Sequence, residues 1–143
     1  MTGPLELDQL AEREQAARMV FSHRVPLTVA GLAENMLSMN DREHFQVTKP
    51  KKRYWRQLGA VIGRQAGKLD GGRVVVFFRL PKGGKGVRTV KEVANLQPVV
   101  KCLVDGLVDA GVFPDDDDLH VWGQDARRLP FTGACEAVVT IWA

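Results

Sequence analysis

The chemistry-bearing residues concentrate near the end of the chain. Pro114 is followed by four consecutive aspartates, Asp115 to Asp118. Like charges at this density repel unless water or a cation relieves them, and crowded carboxylate oxygens suit Mg²⁺ or Mn²⁺. The run has no alternating ligands, central glycine or terminal glutamate of an EF-hand; read alone it is a cation site or a solvated acidic loop. Upstream, Lys101 and Asp105 stand four apart, the spacing of an ordinary helical ion pair. Pro81 to Arg88 (PKGGKGVR) is glycine-rich and basic, but it lacks phosphate-loop spacing and no Ser or Thr follows Lys85, so it is not read as a nucleotide loop. His23 and His120 have no partner at metal-ligand spacing, while His44 sits beside Asn40, Asp41 and Arg42. No Ser-His-Asp or Cys-His order suggests a covalent nucleophile.

These groups sit in a chain of strongly uneven charge. Of 143 residues, positions 45–91 hold thirteen Lys/Arg against Asp70 alone, whereas positions 92–143 hold nine acids against three bases. The net charge of +3 conceals this. A basic middle beside an acidic end suits a polyanion-binding surface next to a carboxylate cluster, or two segments that neutralise each other across the fold. The length fits one domain, and the 45% apolar content is that of a globular protein, excluding disorder and fibrous repeats. Cys102 and Cys135 are too few for a disulfide scaffold and read as small core residues. No apolar run reaches a membrane span, and Glu6, Asp8, Glu12 and Glu14 replace the basic start of a signal peptide. The expectation is a cytoplasmic protein with no membrane partner.

The positioning elements follow from periodicity. Leu5 to Phe21 is expected as an amphipathic helix with Leu10, Ala17, Val20 and Phe21 on its apolar face. Arg24 to Ala30 is expected as a strand, and Lys49-Pro50 as a break before a helix over Arg53–Gln65 buried through Trp55, Leu58, Val61 and Ile62. Arg73 to Leu80 is the clearest strand. A helix over Asn95–Ala110 repeats Leu96, Val100, Leu103, Val104 and Leu107 and is closed by Gly111. Strands are expected around Leu119–Trp122 and over Ala134–Trp142. Strands and helices without regular βαβ alternation give the α+β class with a mixed sheet.

The run Lys101-Cys102-Leu103-Val104-Asp105-Gly106-Leu107-Val108-Asp109-Ala110-Gly111-Val112-Phe113-Pro114-Asp115-Asp116 resembles the signature of RusA-type Holliday junction resolvases. That signature has a lysine, an aspartate four residues on, an Ala-Gly turn and an aspartate pair. Glu92-Val93-Ala94-Asn95-Leu96-Gln97 resembles the family's Asp-x-Asp-Asn-Leu-x segment. Leu37 to Phe45, with Asn40, Arg42 and His44, followed by Trp55-Arg56, resembles its N-terminal element and first helix. The likeness runs discontinuously over about residues 24–141. Glu92 replaces the first family aspartate, Ala94 the second, and Pro98-Val99-Val100 is an insertion.

The resemblance implies a RusA-like nuclease domain over 23–143 with a helical extension over 1–22. It implies an Mg²⁺-dependent endodeoxyribonuclease, with Mn²⁺ as a substitute, that resolves four-way DNA junctions as a homodimer. Glu92, Asp105, Asp115 and Asp116 are the implied metal ligands, Lys101 and Asp116 the catalytic residues, and Asp117 or Asp118 a replacement for the missing carboxylate. Phosphates would be tracked by Lys51, Lys52, Arg53, Arg56, Lys82, Lys85, Arg88 and Lys91, with Asn40, Arg42 and Asn95 added by the family pattern. The alternative is a catalytically weak or inactive relative that binds DNA, or a host protein through the N-terminal helix.

Overall fold

The computed structural model describes residues 6–28, 35–37, 45–81 and 93–143, Phe45 by its backbone alone. The described elements are α1 (Leu7–Ala16), β1 (Met19–Leu27), α2 (Phe45–Ala66), β2 (Gly72–Arg79), a 3₁₀ turn (Val93–Leu96), α3 (Gln97–Asp109), β3 (Val121–Leu129) and β4 (Cys135–Trp142). The described strands form one sheet in the order β1-β4-β2-β3. β4 pairs antiparallel with β1 and β2, and β3 pairs parallel with β2. The fold is α+β with a mixed sheet, as the pattern of elements leads one to expect. A parallel neighbour needs a crossover, and α3 lies in that connection.

One face of the sheet carries the core. Val74, Val76 and Phe78 alternate along β2 and are completely buried, joined by Ala137, Val139 and Ile141 of β4. Against them lie Leu96, Val99, Val100, Leu103, Val104 and Leu107 of the α3 segment, with Trp55 and Ile62 of α2. The buried indole of Trp55 donates from Nε1 to the Asn35 carbonyl at 2.7 Å, which fixes the 35–37 segment, with its buried Met36 and Leu37, on α2.

Five expectations need correction. The N-terminal helix is shorter than Leu5–Phe21: it spans Leu7–Ala16, none of its side chains is buried, and Val20 and Phe21 belong to β1. β1 runs Met19–Leu27 rather than Arg24–Ala30, so a strand starts inside the stretch read as a helical extension. α2 begins at Phe45 and carries Pro50 within it; near the start of the helix this proline removes one bond and crowds the carbonyl four residues back without ending the helix. Val61 is half exposed, because Gly59 and Gly63 turn towards α3 instead. A Cβ on Gly59 would lie 2.2 Å from the Leu103 carbonyl oxygen, and one on Gly106 would lie 2.1 Å from that of Arg56. The two helices therefore touch backbone to backbone, which only glycine permits. β3 extends to Leu129, well beyond the expected Leu119–Trp122.

No helix among the described residues is long and apolar enough to cross a membrane.

Candidate functional site

α3 buries one stripe and leaves Lys101, Asp105 and Asp109, four apart, along another line of the helix. The helix ends at a full left-handed cap. Gly111 has φ +83°; its N–H donates to Val108 O at 2.9 Å, and the Val112 N–H donates to Leu107 O at 3.0 Å. Beyond it Val112 and Phe113 are buried, and Leu69 N–H donates to Val112 O at 2.7 Å. So anchored, the chain doubles back and lays the aspartate run along the helix it has just left.

This fold-back brings Asp116 to Lys101. The ammonium Nζ lies 2.8 Å from Asp105 Oδ1 and 3.3 Å from Asp116 Oδ2. The Lys101 and Asp116 side chains are 48% and 49% exposed, that of Asp105 24%, so the cluster faces solvent and is within reach of a large substrate. The hydrogen bond to Asp105 is the main influence raising the Lys101 pKa above its ordinary value, with burial opposing and Asp116 adding to the rise. The Lys101 hydrogen bond in turn holds the Asp116 carboxyl below the usual range. The arrangement sets the Lys101 ammonium between the Asp105 and Asp116 side chains.

Two other aspartates of the run have local partners. Asp115 Oδ1 accepts the Asp116 backbone N–H at 2.8 Å. Asp117 Oδ1 accepts the N–H groups of Leu119 and His120, each at 3.1 Å, and lies 2.6 Å from His120 Nδ1. Asp117 thus closes the turn into β3, and that turn is its observed work.

Basic residues of α2 border this line. Arg56 makes a two-pronged pair with Asp109, Nε–Oδ2 2.6 Å and Nη2–Oδ1 2.8 Å, which raises the Arg56 pKa and lowers that of Asp109. The Cys102 thiol, beside Lys101 in sequence, is pushed up chiefly by burial and next by Asp105, while Lys52, Arg56 and Lys101 pull it down. Arg56, paired to Asp109 and influenced by the Asp105 charge, borders the Asp105–Asp109 line. Lys52 and Arg53 are exposed, whereas Lys51 is only 9% exposed. Asn95 is half-buried in the 3₁₀ turn, and Gln97 Nε2 donates to Gln124 O at 2.6 Å, tying the start of α3 to β3. Asn40, Arg42, His44, Lys82, Lys85, Arg88, Lys91 and Glu92 lie outside the described residues.

Sequence reasoning singled out Lys101, Asp105 and Asp116, and these come together. It missed Asp109 as the anchor of Arg56, although Asp109 continues the four-residue spacing from Lys101 and Asp105. It also missed the tie between Asp117 and His120, which depends on the turn. The carboxylates of Asp105 and Asp116 are the hard donors that Mg²⁺ or Mn²⁺ takes, so the donor chemistry fits such an ion. Among the described residues no three His, Cys, Asp or Glu side chains are grouped to hold a metal. No family model matches the chain, and no curated protein matches it.

Proposed function

We propose that the protein is a divalent-metal-dependent endodeoxyribonuclease of the RusA type, acting on four-way DNA junctions as a homodimer. The observation that supports this reading is the meeting of Asp105 and Asp116 on the Lys101 ammonium. Those residues belong to the sequence run that resembles the family. Asp105, Asp115 and Asp116 would hold Mg²⁺ together with Glu92, and the ion would supply Lewis-acid polarisation of the phosphate and a more acidic water. Lys101 would stabilise the negative charge that develops on the phosphate, a role for which its raised pKa keeps it charged. Lys52, Arg53 and Arg56 would meet neighbouring phosphates. The dimer would present two equivalent sites to the two strands that must be cut.

A second reading has its own support. Ala94 stands where the family has a carboxylate, and two of the remaining ones are already engaged by Lys101. These features favour a relative that binds branched DNA with little or no cleavage. Incubation of the protein with a labelled synthetic four-way junction, with Mg²⁺, with Mn²⁺ and with EDTA, separates the two. Paired nicks that need the divalent ion support the nuclease; salt-sensitive binding without nicks supports the second reading. Absence of both binding and cleavage removes both.

A further inference from the structure

The sheet face turned away from α2 and α3 has a recess of its own. Strand side chains alternate, so Arg73, Val75 and Phe77 point opposite to the core residues Val74, Val76 and Phe78. The register sets Arg127 beside Phe77 and Trp142 beside Arg73. Glu14 of α1, Arg73, Phe77, Arg127 and Trp142 line a cavity of about 460 Å³ that opens to solvent. That volume lies within the roughly 300–1,000 Å³ of small-ligand sites.

We propose that this recess binds a short stretch of single-stranded nucleic acid, with backbone phosphates on Arg73 and Arg127 and bases against Trp142 beside the first and Phe77 beside the second. Arginine over a backbone phosphate beside an aromatic platform is how single strands are held without sequence readout. The place of the phosphate on Arg73 is already taken by an anion of the protein itself: Glu14 Oε2 sits 3.2 Å from Arg73 Nη1. Asp125 lies 3.2 Å from Arg73 Nε as an ion pair, yet that buried Nε has no aligned hydrogen-bond acceptor. Arg127 is exposed and has no acidic partner among the described residues.

The covering helix is lightly held. α1 buries no side chain; it is attached through Glu14 and through the Arg13 guanidinium 4.1 Å above the Trp122 ring. Just beyond it, Arg18 and Ala143 exchange two backbone hydrogen bonds, 3.1 and 3.0 Å. Displacing α1 would therefore leave β1 in the sheet. Glu14 is an internal competitor that a phosphate replaces. α3 and Lys101 belong to the other side of the sheet, so the inference stands apart from the nuclease reading.

The test uses the full chain in EDTA with fluorescein-labelled oligothymidylate, read by anisotropy and by quenching of tryptophan emission. Arg127→Glu should weaken binding by about fivefold or more relative to Arg64→Glu, which makes the same charge change on exposed α2. Glu14→Gln should tighten binding relative to Glu12→Gln, which removes the same charge from the same helix. Equal effects within each pair would reduce the recess to a general basic field and overturn the proposal. So would a wild-type protein that does not bind the oligonucleotide. Binding of free thymidine monophosphate as tight as that of the oligonucleotide would also overturn it, in favour of a free-nucleotide site.

Discussion

Replacing Gly106 by alanine tests the packing that places the acidic line of α3 beside the basic residues of α2. The added Cβ would stand 2.1 Å from the Arg56 carbonyl oxygen, 2.6 Å from the Ala60 nitrogen and 2.8 Å from the Gly59 carbonyl carbon. All three are backbone atoms, so no side chain can swing aside. To reach ordinary contact the helices must separate by roughly 1.3 Å, and overpacking of this kind costs about 1–3 kcal/mol. Against it stands the better helix propensity of alanine, worth about 1 kcal/mol. The clash is with rigid backbone on a fully packed face, so the steric cost sits at the upper end of its range and the net loss is about 2 kcal/mol. With a urea m-value of about 1–3 kcal/mol/M, the midpoint should fall by about 0.7–2 M. Urea unfolding followed by far-UV circular dichroism measures this directly. A Gly106→Ala protein with an unchanged or higher midpoint would mean that α2 and α3 do not cross this closely, and the placement of Arg56 against Asp109 would go with it.

Three further outcomes are expected. The Asp109 carboxyl is lowered by its hydrogen bond to Arg56 and by the guanidinium charge; a lowered folded pKa gives stability that is present above the unfolded value and lost as pH falls through the folded one. The pair is about half exposed, so Asp109→Asn should cost less than about 1 kcal/mol at neutral pH and flatten the acid limb of a stability–pH profile; an unchanged limb would contradict the pairing. Lys101→Ala should lower the cleavage rate far more than junction affinity, because its proposed role lies in the transition state; equal losses in single-turnover cleavage and binding would make it a phosphate contact only. Junction affinity should fall steeply with salt, and Lys52→Gln with Arg53→Gln should reduce the log–log slope by about one unit per lost phosphate contact; a slope near zero would remove the polyanion surface.

What was legible in the sequence was the part that hydrophobic patterning encodes. β2, β4 and the buried stripe of α3 lie where the runs Arg73–Leu80, Ala134–Trp142 and Leu96–Leu107 place them, since each signal is continuous and each element is central. β3 was read only in part, because an edge strand with the sequence VWGQDARRL shows no clean alternation. β1 was misread because Val20 and Phe21 satisfy a helical period as well as a strand's. The α2 face was misread at Val61 because glycines carry no hydrophobic signal, yet Gly59 and Gly63 take the closest approach. At the site, Lys101 and Asp105 follow from helical spacing, but the arrival of Asp116 depends on the fold-back at Gly111, which no periodicity encodes. That Asp117 serves the turn rather than the cluster follows from three contacts of one oxygen atom, invisible in a run of identical residues.

The central claim, that Asp116 and Lys101 form the working centre of a metal-dependent nuclease, is tested most directly by Asp116→Asn on a synthetic four-way junction with Mg²⁺, cleavage and binding being measured on the same preparation. The amide is nearly isosteric and leaves Lys52, Arg53 and Arg56 in place, so junction affinity should stay close to that of the wild type while paired nicking disappears. Near wild-type nicking by Asp116→Asn would contradict the assignment.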